Sequence, residues 1–130
     1  MERVAITSDA DVVRVRQTVR GVAAQAGLSL VDQTKVITAA SELARNTLIH
    51  GLGGEAAIEL VEEGRRRGVR ICFEDHGPGI PDLDLALRDG WTSGNGLGLG
   101  LSGSRRLVDS FDIHSEVERG TTVRIVKWGR

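Results

Sequence analysis

Two alternating stretches, AAIELVE (residues 56–62) and VRICFED (69–75), are joined by EGRRRG and predict a β-hairpin. DIHSEV and TTVRIVKW, joined by ERG, predict a second hairpin at the end of the chain. RVAIT (3–7) adds a short strand at the start. Strands with one apolar face need a second layer over that face. Helical periodicity supplies the cover. Ser8 with Asp11 three residues later reads as a capping box, and Val12, Val15, Val19, Val22, Ala23 and Ala26 follow at helical spacing up to Gly27. Ser29 and Asp32 repeat the signal. The second helix then runs to about His50, with the apolar arc Val36, Ile37, Ala40, Leu43, Ala44 and Leu48 and with Gly51 as its stop. PDLDLALRD predicts a short helix with Pro81 at its start, and SGSRRLVDSF another. The expected fold is α/β, a two-layer sandwich: a mixed, mostly antiparallel sheet with helices on one face.

The size of the chain, 130 residues, suits one domain over residues 1–130. A net charge of −1 gives no general attraction to nucleic acid or to an anionic membrane. Aromatic residues are 3%, too few for a base-stacking surface. No apolar run approaches the roughly 18 residues of a membrane span. MERVAITSDADVV has acids early and lacks the apolar core of a signal peptide. Cys72 is the only cysteine, which fits a reducing cytosol, and His50, His76 and His114 are scattered without zinc spacing. The reading is therefore a cytoplasmic protein with no nucleic-acid or membrane partner.

Three places carry candidate chemistry. On the second helix Glu42 and Asn46, four apart, share a face near Lys35, Thr38 and Arg45. Such a face can be the solvated side of an amphipathic helix. It can also pair a neutral oxygen ligand for nucleotide-bound Mg²⁺ with a proton acceptor. Arg45 has the same two readings, a surface ion pair or a phosphate contact. In VRICFED the period of two puts Asp75 on the side of Val69, Ile71 and Phe73. A carboxylate at the end of an apolar face needs a donor. The exocyclic amine of a purine and a backbone amide of the following Gly-Pro-Gly turn both qualify. The third place is GNGLGLGLSG (94–103). It contains GxGxxG at Gly98, Gly100 and Gly103, but no strand precedes it and no Walker lysine follows. A glycine-rich loop entering a helix near Ser102 is a phosphate-binding element, and Leu97, Leu99 and Leu101 fold it back onto a core.

In this order the motifs resemble those of the GHKL ATP-binding superfamily, the Bergerat fold of gyrase, Hsp90, sensor histidine kinases and MutL. SELARN (41–46) resembles the N box, DHGPG (75–79) the first glycine box and GNGLGLG (94–100) the second. GTTV (120–123) resembles the closing segment, in which a Thr helps hold the adenine. The resemblance covers nearly the whole chain. It implies ATP and Mg²⁺ as cofactors. It puts Asp75 on the adenine amine with Gly79 and Thr121 beside it, and Asn46 on the metal. Gly94, Gly96, Gly98 and Gly100 would form a lid over the phosphates, and Glu42 would be the general base. Arg45 and Arg105 are further candidates for contact with a phosphate or a partner.

A free-standing domain of this length resembles the serine-protein kinases of bacterial partner-switching systems. One branch is the stressosome switch kinase, which phosphorylates a serine of a small STAS-domain antagonist and, once released, activates a PP2C-type phosphatase. The other is the anti-sigma factor, which binds a sigma factor and phosphorylates its STAS-domain antagonist. EDHGPGIPDLD, the compact lid between Trp91 and Gly96, and FDIHSEVERGTTVRIVKW look closer to the switch kinase, whereas His76 resembles the anti-sigma form.

Overall fold

A computed structural model describes residues 1–88 and 100–129. In chain order these residues form β1 (Glu2–Ile6), α1 (Asp9–Gln25), α2 (Leu30–Ile49), β2 (Gly54–Glu63), β3 (Arg66–Asp75), α3 (Leu83–Ala86), α4 (Gly100–Arg106), β4 (Ser110–Glu116) and β5 (Gly120–Trp128). The strands make one five-stranded sheet in the order β1-β2-β3-β5-β4. All four ladders are antiparallel, so the sheet expected as mixed has no parallel pair among the described residues. The step from β3 to β4 passes over β5, and α3 and α4 lie in that crossover.

Both long helices cover the same face of the sheet. Val4, Ile6, Ala56, Ile58, Val69, Ile71, Phe73, Val123 and Ile125 are buried from the sheet side, and Val12, Val15, Val19, Val36, Ala40 and Leu43 from the helix side. A fully buried aliphatic or aromatic side chain stabilises by about 1.5–3 kcal/mol, so this interlayer contact dominates the fold. The opposite sheet face is charged, with cross-strand pairs Arg3–Glu55 and Arg70–Glu59.

Local chemistry explains the helix starts. Ser29 caps α2 by accepting from the Asp32 amide at 3.1 Å. At α1 the expected box is not made. Ser8 sits at the cap position without accepting from a helix amide, and its hydroxyl instead donates to Asp11 Oδ2 at 3.3 Å. The same oxygen accepts from the Thr7 amide at 2.9 Å and the Thr7 hydroxyl at 3.0 Å. The Thr7 amide, more than any other group, holds the Asp11 carboxyl below its ordinary range. Its stabilisation is therefore present above the unfolded-state carboxylate pKa and is lost as pH falls through the lowered value.

Three other places differ from expectation. β2 and β3 run through most of EGRRRG, leaving residues 64–65 as the turn, because Glu62–Arg67 and Glu63–Arg66 are themselves cross-strand pairs. α4 starts two residues before Ser102 and stops at Arg106, because the Asp109 amide is drawn onto the Val126 carbonyl at 2.9 Å. α3 is capped by Asp82, whose carboxylate accepts from the Leu85 amide at 3.0 Å, so Pro81 stands outside the helix. α2 ends at Ile49 with His50 as its cap, so Gly51 follows the helix as expected, and the left-handed conformation after it falls on Leu52, at φ 62° and 80% exposed. A leucine there carries steric cost with no packing to offset it. We expect Leu52→Gly to raise stability by about 0.5–1 kcal/mol in urea unfolding, net of the extra chain entropy of glycine. A loss of stability would show that the leucine side chain makes a stabilising contact.

Candidate functional site

The register places Gly54, Asp75, Thr121 and Ser115 opposite one another in a single row across β2, β3, β5 and β4. This row lies at the end of the sheet where α2 terminates. A cavity of about 190 Å³ opens there, lined by Leu43, Asn46, Thr47, His50 and Gly51 from α2 and its end, and by Phe73, Asp75, Thr121 and Val123 from the sheet. Gly79, Ile80, Pro81, Ala86, Gly100 and Leu101 close it from the crossover. The lining is mainly apolar with a few polar groups, as in small-molecule sites. The enclosed volume falls below the roughly 300–1,000 Å³ of sites that swallow a whole drug-sized ligand.

Asp75 is 9% exposed and its two oxygens differ. Oδ1 accepts from the Gly77 amide at 3.0 Å and from the Thr121 amide at 3.2 Å. Oδ2 has no donor among the described residues and faces Gly51, where even a Cβ would overlap the carboxylate. The two alternatives read from the sequence are thus divided between the two oxygens. One caps the turn, and the other is left as a bare acceptor at the cavity. The DHGPG loop packs just as closely. A Cβ on Gly77 would lie 2.6 Å from the Gly51 carbonyl oxygen, and Gly79, at φ 76°, presses its backbone on Glu116. The Glu118 amide donates to Pro78 O at 2.8 Å and fixes the loop from the other side.

Asn46 lies on the last turn of α2 and its carboxamide has no hydrogen bond among the described residues, whereas its backbone carbonyl accepts from His50 and Gly51. Thr47, buried beside it, donates its hydroxyl to Leu43 O at 2.9 Å. Thr121 Oγ1 lies 2.8 Å from Ser115 Oγ, and the Ile80 amide donates to Ser115 Oγ at 2.8 Å.

Asn46, Asp75, Gly79, Gly100 and Thr121, singled out from sequence, are therefore neighbours around one cavity. Glu42, one turn back on α2, and Arg45, next to Asn46 in the chain, are outside that lining, with Arg45 Nη1 3.5 Å from Glu42 Oε1 and the Glu42 side chain 12% exposed. Arg105 is exposed in the last turn of α4. Gly94, Gly96 and Gly98 lie outside the described residues. Sequence reasoning missed Gly51 and Ser115. Gly51 had been read as a helix stop, although Gly51 and Gly53 flanking one residue suggest close approach. Ser115 becomes visible once the hairpin register is counted back from Glu116 opposite Gly120. Among the described residues no cluster of His, Cys, Asp and Glu could hold a metal unaided, and no helix is long and apolar enough to cross a membrane.

Residues 31–128 match the family model described as histidine kinase-, DNA gyrase B- and HSP90-like ATPase. The chain is 42% identical over 127 residues to the serine/threonine-protein kinase RsbT of Bacillus subtilis (strain 168), covering 98% of this chain and 96% of that one. It is 32% identical to the anti-sigma F factor of Anoxybacillus flavithermus, over 86% of this chain and 80% of that one. Among solved structures, that of the RsbU and RsbW domains of Rv1364c from Mycobacterium tuberculosis superposes with a TM-score of 0.67 at 22% identity. It covers all of this chain, which spans 33% of that one, and the likeness is one of fold.

Proposed function

The chain belongs to the histidine kinase-, DNA gyrase B- and HSP90-like ATPases, and from that premise we propose that it is a cytoplasmic serine/threonine-protein kinase, one domain over residues 1–130, that transfers the γ-phosphoryl group of ATP to a serine of a STAS-domain antagonist. The observation that carries the reading is the divided Asp75 carboxylate, a free acceptor at the closed end of an apolar slot. An adenine amine is the donor that oxygen lacks, and the Thr121 hydroxyl stands beside it for the neighbouring ring nitrogen. The aliphatic and aromatic lining from Leu43, Phe73, Ile80 and Val123 takes the base out of water.

The phosphates then extend toward Asn46 and Gly100, with Gly94, Gly96 and Gly98 as the lid over them. The residues suit Mg²⁺: among the described residues the Asn46 carboxamide has no hydrogen bond and no protein cage forms, so Asn46 would hold an ion that arrives with the phosphates. Bound there, the ion supplies charge neutralisation on the phosphates. Glu42 accepts the proton of the incoming serine hydroxyl. The serine oxygen–phosphorus bond forms as the bond from phosphorus to the β–γ bridging oxygen breaks, and ADP leaves. Glu42 does this after parting from Arg45, whose guanidinium is then free for a phosphate or the partner. Arg105 is a second candidate for such a contact.

The 42% identity to a serine/threonine-protein kinase favours the switch-kinase branch, and with it a PP2C-type phosphatase as the partner that the kinase activates once it is released. The 32% identity to an anti-sigma factor supports a second reading, in which a sigma factor is the bound partner. Incubation with γ-labelled ATP and a STAS-domain protein tests the first reading. Label is expected on serine, and its absence with a full panel of STAS candidates would overturn the transfer. Capture of a sigma factor but no phosphatase would select the second. In the same assay Asn46→Ala is expected to abolish transfer while binding adenosine within about twofold of wild type, because metal and phosphates are lost but not the base site. Adenosine binding that falls in step with transfer would remove Asn46 from the phosphate end.

A further inference from the structure

We infer that Ser115, which lies outside the cavity, is a positioning residue for the base. The inference rests on the ATP reading above. Four segments meet in a closed ring of short contacts. The Gly77 and Thr121 amides both donate to Asp75 Oδ1, the Ile80 amide donates to Ser115 Oγ, and Ser115 Oγ lies 2.8 Å from Thr121 Oγ1. Asp75, Ile80 and Thr121 all line the cavity. Ser115 sits behind them on β4, an edge strand, directly opposite Thr121 in register. Among the described residues its hydroxyl makes the one side-chain hydrogen bond from β4 to the loop of residues 76–81.

The protons can be counted. Ser115 Oγ accepts from the Ile80 amide and has one proton to give. It can give that proton to the Gly120 carbonyl at 3.3 Å, with Thr121 then donating to Ser115. Alternatively it gives the proton to Thr121 Oγ1 at 2.8 Å, which frees the Thr121 proton for an acceptor in the cavity. A base nitrogen arriving beside Asp75 therefore gains a donor at the cost of the longer, weaker bond only. Thr121 can turn its proton to the ligand without losing its own anchor. The same serine holds Ile80 against the base plane, and no other acceptor for that amide lies among the described residues.

Alanine at 115 leaves the Ile80 amide without its acceptor and the Thr121 hydroxyl without its anchor. We expect Ser115→Ala to weaken ATP binding about tenfold by calorimetry. The loss should be equal for ADP and ATP, because it arises at the base. In transfer assays it should appear in KM, with kcat at saturating ATP unchanged. Ser115→Thr, which keeps the hydroxyl on a strand that favours β-branched residues, should bind within about threefold of wild type. Ser115→Cys, of nearly the same size but a poor donor and acceptor, should share the alanine loss, and it answers the question if the alanine variant does not fold. Unchanged affinity in the alanine and cysteine variants, a loss larger for ATP than for ADP, or a parallel fall in kcat would each overturn the role. Wild-type protein that binds no ATP would instead sink the functional reading.

Discussion

Asp75→Asn is expected to leave the protein folded and to cost about 100-fold in ATP affinity, roughly 3 kcal/mol. The substitution keeps one oxygen, which can remain at Oδ1 and go on accepting from the Gly77 and Thr121 amides. The turn and the β3–β5 ladder therefore lose little. The amide nitrogen then takes the Oδ2 position, turning the free acceptor into a donor that meets the amine of the base. A charge-assisted hydrogen bond is lost and two donors are forced together in a slot that excludes water. The reverse orientation, nitrogen toward Gly77, would rescue the base but leave two backbone amides facing a donor, and so is disfavoured. Thermal melting with and without ATP separates the effects. The expected result is a melting temperature near wild type without nucleotide and no rise on adding it. A variant that is still stabilised by ATP as well as wild type would remove Asp75 from the adenine amine, and with it the orientation of the nucleotide.

Asp75 also shows what a period of two can and cannot reveal. Its side of the strand was legible, because Val69, Ile71 and Phe73 fix which face is buried. The division of labour between its two oxygens was not, since that depends on the Thr121 amide, which reaches it only through the β3–β5 register. Helical spacing put Asn46 on one face with Glu42, a face that reads equally as solvated, and of the two only Asn46 lines the cavity. The cavity itself was not legible, because Gly100 and Leu101 arrive from a crossover whose path no local pattern encodes. Gly51 does follow the end of α2, but the local rule that glycine ends helices says nothing of the Asp75 carboxylate packed against it from another strand. The last turn of α4 was overextended because LVDSF has helical spacing, yet Asp109 is claimed by the backbone of β5. Local propensity yields wherever a ladder from elsewhere in the chain offers a hydrogen bond.

The same alternation that buries Val123 and Ile125 also carries Lys127 inward, and removing that lysine should be strongly destabilising although it lies away from the site. Lys127 is buried with its side chain only 5% exposed, between Asp32 Oδ1 at 3.6 Å and Asp109 Oδ1 at 3.4 Å. Asp32 belongs to the first turn of α2, and Asp109, just before β4, also accepts from the Trp128 amide at 2.7 Å. One ammonium therefore ties the start of a helix to two strands at the end of the sandwich away from Thr121, about 20 Å along β5 at strand rise. Lys127→Ala strands two carboxylates, one of them almost wholly out of water, and opens the space its stem filled. Breaking a buried ion pair from one side typically costs about 3–5 kcal/mol, and the lower end applies here because Asp109 remains 36% exposed. About 3 kcal/mol should lower the melting temperature by roughly 10 °C in a chain of this size. Lys127→Met keeps the stem but not the charge, so it should recover the packing part alone. Adding Asp32→Asn and Asp109→Asn to it should restore most of the remainder, because no uncompensated charge is then left buried. If Lys127→Ala melts within about 2 °C of wild type, the two contacts are incidental and the helix start is held by packing alone. ATP affinity of the folded variant serves as the control: it should match wild type, since the base site hangs on the other end of the same strand.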